Sequence, residues 1–129
     1  MIDRLVVVVA VAAHLAFLGY LVVGGLIALR YPRTIWLHVV TVIWAVVMLA
    51  GKVECPLTWL ERWARAAGGM APLPDSGFID NYLTGVIYPA DALVVVQILV
   101  FAVVIGSWIA LAVRWQRHRT AGAAHRRQV

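Results

Sequence analysis

The chain has a single cysteine among 129 residues. Cys55 alone rules out an intramolecular disulfide and any cysteine-rich metal centre. Charge is also scarce: 13% of the residues are Asp, Glu, Lys or Arg, about half the share of a soluble globular domain. The sequence contains no Gly-rich phosphate loop, HExxH, GxSxG or paired-cysteine spacing. That removes the usual signatures of nucleotide binding, zinc hydrolysis and serine hydrolysis. No cleavable leader is expected, because the first apolar run is too long for a signal h-region and lacks a small-x-small site. From these absences we expect no metal, no cofactor and no assigned catalytic residue.

What the sequence does have is apolar surface. Hydrophobic residues make up 64% of the chain, and a single small domain has too high a surface-to-volume ratio to bury so much. The excess must face lipid, so a single integral membrane domain is expected over residues 1–129. Three apolar segments, 5–29, 34–50 and 90–113, are long enough to cross a hydrocarbon core of roughly 30 Å. The predicted class is an all-α membrane protein with three transmembrane helices and two short interfacial amphipathic helices in the outer loop. Residues 51–89 form that outer cap, and residues 114–129 form a basic tail, expected to be disordered beyond Thr120.

Helical spacing assigns faces within the spans. In the second segment His38, Thr41, Ala45, Met48 and Lys52 share one stripe, and Trp36, Val40, Ile43 and Val47 the other. The first stripe should face the bundle or water and the second lipid. Ala12 with Ala16, Gly24 with Ala28, and Ala102, Gly106 and Ala110 are small-xxx-small pairs or runs. Such spacing lets another helix approach closely, so other membrane chains are expected partners alongside the bilayer.

Orientation follows from the basic residues. Arg30 and Arg33 lie in the first connection, and five arginines lie between Arg114 and Arg127. With three spans these sit on one side, which the positive-inside rule makes cytoplasmic. The N-terminus is therefore expected outside and the C-terminus in the cytoplasm. A basic cluster beside an apolar span matches anionic lipid headgroups, so no nucleic acid is expected as a partner.

The cap carries most of the chemistry-bearing side chains. Residues 51–61 bring together Lys52, Glu54, Cys55 and Pro56, followed by Thr58 and Glu61 at capping-box spacing. Trp59, Leu60, Trp63, Ala64 and Ala67 are expected on the apolar face of the helix that follows. Glu61, Arg62 and Arg65 are expected on its outward polar face, with Glu61 and Arg65 an i,i+4 pair. A second amphipathic helix is expected over residues 78–88. Glu54, Glu61 and Asp91 could gather as carboxylates on one face, although solvated caps and ion pairs are the plainer reading. Cys55 lacks a histidine base on its side of the membrane and reads as a small buried residue beneath the loop.

His14 sits inside the first span, where an ionisable group is a functional candidate by default. Gln97 falls at a similar depth in the third span. A hydrogen bond between them is the plain expectation, and a proton-relay, quinone or ligand role is the alternative. His38 with His14 invites a bis-histidine haem reading, but the two lie about 20 Å and 8 Å from the cytoplasmic face by helical rise, too different in depth for one iron. Both remain only weak cofactor candidates.

The run Gly51-x-x-Glu54-Cys55-Pro56-Leu57-Thr58-x-x-Glu61, with Gly77-Phe78-Ile79, Tyr88-Pro89, Trp36-x-His38 and His14 upstream of Gly24-Gly25, resembles a family of small bacterial inner-membrane proteins, the domain of unknown function 2784 family. The resemblance implies a location in a bacterial inner membrane and one recurring architecture. It transfers no activity. The function expected is that of a small non-enzymatic accessory or structural subunit of a larger membrane complex. The alternative is a membrane redox protein or enzyme acting on a lipid-soluble substrate such as a quinone, through His14 and His38 or through Glu54 and Cys55.

Overall fold

The computed structural model describes residues 1–128; Val129, the last residue of the basic tail, lies outside them. Five α-helices follow one another: α1 (Ile2–Arg30), α2 (Ile35–Gly51), α3 (Pro56–Ala67), α4 (Phe78–Tyr82) and α5 (Leu93–Arg127). Three helical segments, Ile2–Arg30, Pro32–Gly51 and Ala90–Arg127, are long and apolar enough to cross a membrane. The chain is thus an all-α, multi-pass membrane protein with two shorter helices between its second and third spans. Below, the end carrying α3 and α4 is called the cap side, and the end carrying the α1–α2 turn the tail side.

α1 is the central element, touching α2, α3 and α5. Its 29 residues measure about 43 Å at 1.5 Å per residue, more than a span requires. The extra length gives α3 a surface to lie on. Toward the N-terminus Val7, Ala10 and His14 are buried, and toward the C-terminus Gly24, Gly25 and Ala28. The first set meets the cap and the second meets the other spans.

At the second set, residues of all three spans come together. The His38 ring of α2 fills a notch that exists because α1 carries two consecutive glycines. A Cβ on Gly24 would lie 2.5 Å from His38 Cδ2, and one on Gly25 would lie 1.9 Å from Ser107 Oγ of α5. His38 is completely buried, and both of its nitrogens are engaged. Trp108 Nε1 of α5 donates to Nδ1 at 3.0 Å. Nε2 lies 3.0 Å from the Leu21 carbonyl of α1. Indole N–H can only donate, so Nδ1 is the acceptor and Nε2 carries the proton given to Leu21. The rings of Tyr20 and Trp108 meet that imidazole edge-on. This side chain therefore ties α1, α2 and α5 together.

The predicted stripes of α2 are observed. His38 and Thr41 are buried, while Trp36, Val40, Ile43 and Val47 are exposed, as lipid-facing residues should be. The hydroxyl of Thr41 returns to the Leu37 carbonyl, which satisfies it without a partner on another helix. The small-residue runs divide. Gly24 and Ala28 are packed, whereas Ala12, Ala16, Ala102, Gly106 and Ala110 lie on exposed faces. α5 meets the bundle instead through Val104, Ser107, Trp108 and Leu111.

Three local expectations are corrected. The tail is not disordered beyond Thr120: α5 continues to Arg127, with Ala121, Ala123 and Ala124 supplying strong helix formers. The second cap helix stops at Tyr82 rather than Tyr88. Gly85 adopts a positive φ of 80°, and the Leu83 carbonyl collects the N–H groups of Val86 and Ile87 in a turn. The capping box is also absent. α3 begins at Pro56 with Cys55 as its N-cap, and no side-chain cap bond forms. Proline suits the first helical position because its missing N–H has no helical partner there. Thr58 and Glu61 thereby fall inside the helix and turn toward α1.

Gly25→Ala should lower the thermal midpoint of the detergent-solubilised protein by an amount corresponding to about 1–3 kcal/mol of overpacking. Gly106→Ala, where nothing lies within 4 Å of the new Cβ, should leave it unchanged. Equal midpoints for the two variants would refute the notch.

Candidate functional site at the junction of the first span and the cap

α3 packs on α1 through Thr58, Glu61 and Ala64, all buried. These small or polar residues let the two helices approach closely. Gly68, just past the end of α3, abuts Asp3 near the start of α1, where an added Cβ would lie 3.0 Å from that of Asp3. Trp59 and Trp63 are exposed and turn away from α1. The expected outward polar face is therefore corrected at Glu61: its side chain is 1% exposed and belongs to the helix interface.

A buried carboxylate needs partners, and Glu61 has two. Arg65 Nε donates to Glu61 Oε1 at 2.8 Å, one turn along α3. The Tyr82 hydroxyl at the end of α4 donates to the same oxygen at 2.6 Å. Arg65 also donates to the Tyr82 oxygen and to the Ala71 carbonyl. Glu61, Arg65 and Tyr82 thus close a ring of hydrogen bonds between α3 and α4. Burial, the largest influence, raises the Tyr82 phenol above its ordinary range, and its bond to Glu61 raises it further. Burial opposes the charge on Arg65, but the bonds to Glu61 and Tyr82 outweigh it and hold the guanidinium above its ordinary value.

Arg62 does similar work three residues before Arg65. Its guanidinium pairs with Glu54 and donates to the Leu73 and Pro74 carbonyls at 3.0 and 2.9 Å. Leu73 is buried beneath this bracket. The two arginines fold the segment between α3 and α4, although its backbone has little regular structure.

α4 then places Phe78 over α1. The Phe78 ring stacks on His14 at a centroid distance of 3.9 Å and an interplanar angle of 14°, and it meets the Tyr82 ring at 4.7 Å. His14 is 6% exposed, and its Nδ1 is a buried polar atom with no hydrogen-bond partner. The expected bond to Gln97 is not formed. Gln97 is half-buried on α5, and the cap rather than the third span covers His14. An unmade bond at a buried nitrogen costs about 1–3 kcal/mol, which marks His14 as the unsatisfied member of an otherwise closed polar cluster.

The other candidates do not converge. His38 is locked in the bundle about ten residues further along α1, roughly 15 Å by helical rise, so it shares no ligand position with His14. Glu54, Glu61 and Asp91 do not cluster: Glu54 pairs with Arg62, Glu61 with Arg65, and Asp91 is exposed in a 3-10 turn before α5. No group of three His, Cys, Asp or Glu side chains is arranged for a metal among the described residues. Cys55 is a half-buried free thiol at the start of α3. Lys52 ends α2 in the left-handed region, at φ 50°.

With this geometry in place, comparison with known proteins gives one result. A family model described as Protein of Unknown function (DUF2784) matches residues 4–113. The chain belongs to this family. The DUF2784 match includes the three spans, the cap, His14, the glycine notch and the Glu61 cluster. It stops at the point where α5 leaves its apolar stretch. No curated protein and no solved structure matches the chain.

Sequence reasoning passed over Phe78, Tyr82, Arg62 and Arg65 as site residues. The only available signal was that a helical register placing Glu61 beside Ala64 would bury a carboxylate, which then needs donors nearby. Arg65→Met should loosen the cap by about 3–5 kcal/mol, because it leaves a buried carboxylate short of its cation. Faster hydrogen exchange confined to α3 and α4 would show it.

A pH effect follows from Tyr82. Its folded value is raised, so its contribution is complete below about pH 10, the ordinary phenol value, and is lost as pH rises through the raised value. Alkaline titration should therefore release the cap as tyrosinate forms. Tyr82→Phe should lack that alkaline step, and a step that persists in the variant would contradict the assignment.

Proposed function

We propose that this DUF2784 protein is a non-enzymatic accessory or structural subunit of a larger complex in a bacterial inner membrane, with the N-terminus outside and the C-terminus cytoplasmic. The observation that carries this reading is that the interior polar groups are mostly consumed by the fold. His38 has both nitrogens bonded and Glu61 has two donors. Three spans around such a filled interior leave the outer faces as the available working surface. Ala102, Gly106 and Ala110 form a seam along the exposed side of α5, with the spacing that close helix approach requires.

Charge supports the orientation. All six acidic residues lie on the cap side with Arg4, Lys52, Arg62 and Arg65, whereas the other seven basic residues lie on the tail side with no acidic residue among them. That asymmetry points the tail side to the cytoplasm.

A second reading is favoured by one observation, the unpartnered Nδ1 of His14 under the Phe78 ring. In it, His14 hydrogen-bonds a lipid-soluble molecule such as a quinone when Phe78 swings aside, and the cap serves as the door.

The subunit reading is tested by gentle detergent extraction followed by mass spectrometry of co-purifying chains, comparing wild type with Gly106→Leu. A defined partner should be recovered with wild type and reduced at least ten-fold in Gly106→Leu, with the thermal midpoint intact. A lone monomer in both preparations, or an absorbance spectrum revealing a bound chromophore, would favour the second reading. A C-terminal reporter active only outside the cytoplasm would reverse the orientation.

A further inference from the structure

The tail side carries seven arginines, Arg30, Arg33, Arg114, Arg117, Arg119, Arg126 and Arg127, and no Asp or Glu. The ion pairs among the described residues belong to Arg62 and Arg65 on the cap side. Among the described residues the tail-side guanidiniums therefore form no ion pair. They are not evenly placed. Arg30 and Arg33 line a depression of about 290 Å³ at the α1–α2 turn, together with Tyr31 and Pro32. Arg114 is drawn to the same turn, its Nη1 donating to the Leu29 carbonyl at 2.7 Å.

The turn is held rigidly. Pro32 restricts the backbone, and both the hydroxyl and the amide of Thr34 return to the Tyr31 carbonyl. Tyr20 reaches the Thr34 carbonyl from within the bundle. A preorganised backbone at the turn need not be ordered when a ligand binds, and a guanidinium fork matches the oxygens of a phosphate.

A second feature adjoins the turn. An apolar groove of about 210 Å³ runs between α2 and α5, lined by Ile35, Val39, Trp108, Leu111, Ala112 and Trp115. It begins two residues past Arg33 and ends at the residue after Arg114. Trp36 and Trp115 are exposed nearby, the residue type enriched where a membrane meets water. Cationic turn and apolar groove together have the two-part chemistry of an amphiphile with an anionic head.

We propose that the α1–α2 turn is a binding site for an anionic phospholipid, whose phosphate is held by Arg30 and Arg33 and one of whose acyl chains lies in the α2–α5 groove. Arg114 adds positive charge to the same turn while anchoring the end of α1. Arg126 and Arg127 are not part of the site. At 1.5 Å per residue they stand about 18 Å further along α5 than Arg114, two Debye lengths at physiological salt.

The test uses the full chain in nanodiscs of phosphatidylglycerol mixed with phosphatidylcholine, released into the gas phase for native mass spectrometry of retained lipid. Wild type should keep phosphatidylglycerol in preference to phosphatidylcholine. Arg30→Gln with Arg33→Gln should reduce that preference about 25-fold, at about five-fold per arginine near a charged surface. Arg126→Gln with Arg127→Gln should leave it unchanged, which separates a site from diffuse attraction. Ala112→Leu, a substitution at an exposed position that fills the groove, should lower retention of phosphatidylglycerol while leaving the helical content intact. Competition by millimolar inorganic phosphate without an effect of Ala112→Leu would identify a free-phosphate site and overturn the lipid assignment. Equal losses in the two arginine pairs, or no lipid preference in wild type, would overturn it as well. Far-ultraviolet circular dichroism on each variant excludes unfolding as the cause.

Discussion

The bundle depends on an imidazole set into a gap that two glycines leave in a helix. His38 could not occupy that position if α1 carried side chains at Gly24 and Gly25. Once there, it satisfies its own nitrogens with the Leu21 carbonyl and the Trp108 indole. In lipid the hydrophobic effect does not drive helices together, so close packing and interhelical hydrogen bonds must do so. One side chain supplies both across three helices. The same completeness withholds His38 from other chemistry, since a ligand could reach either nitrogen only by breaking a bond that holds the bundle.

The cap is built on the opposite principle, with charge turned inward. Glu61 lies between α3 and α1, and burying a carboxylate is unfavourable unless geometry and donors compensate. Arg65 and Tyr82 do so, and in doing so they fix the position of α4. That places Phe78 on His14. A chain of contacts therefore runs from a buried charge in α3, through a tyrosine, to an aromatic lid over an intramembrane histidine. His14 is the end of that chain and the one member whose nitrogen is left unmatched, so any activity of the cap is best sought there. Cys55 and Glu54, which dominate the local sequence, serve as a helix N-cap and as the counter-ion of Arg62.

Much of this was legible beforehand where period and composition suffice. The three spans, the stripe of α2 that carries His38 and Thr41 away from lipid, and the different depths of His14 and His38 all follow from the rise and pitch of a helix. The errors share a cause. The charged neighbours Arg62 and Arg65 suggest an outward Glu61, yet the tryptophans on the other face, well suited to a lipid interface, leave the Thr58, Glu61 and Ala64 face to meet α1. Depth matches His14 to Gln97, but depth ignores which side of α1 each neighbour occupies, and Phe78 of the cap covers His14. The exposed seam at Ala102, Gly106 and Ala110 had the right spacing for a contact, but spacing does not name the partner, and α5 meets its own bundle through Ser107 and Trp108.

The amino-acid sequence by itself determined that this chain lives in a membrane, how many times it can cross, and where its charges divide. Those properties depend on local composition, because each apolar segment satisfies its backbone within its own helix. The tertiary structure alone decided which buried polar group meets which donor: Trp108 with His38, Tyr82 with Glu61, Phe78 over His14. These pairings join residues 70, 21 and 64 positions apart. They are set by how helices dock, which no periodicity within a single helix encodes.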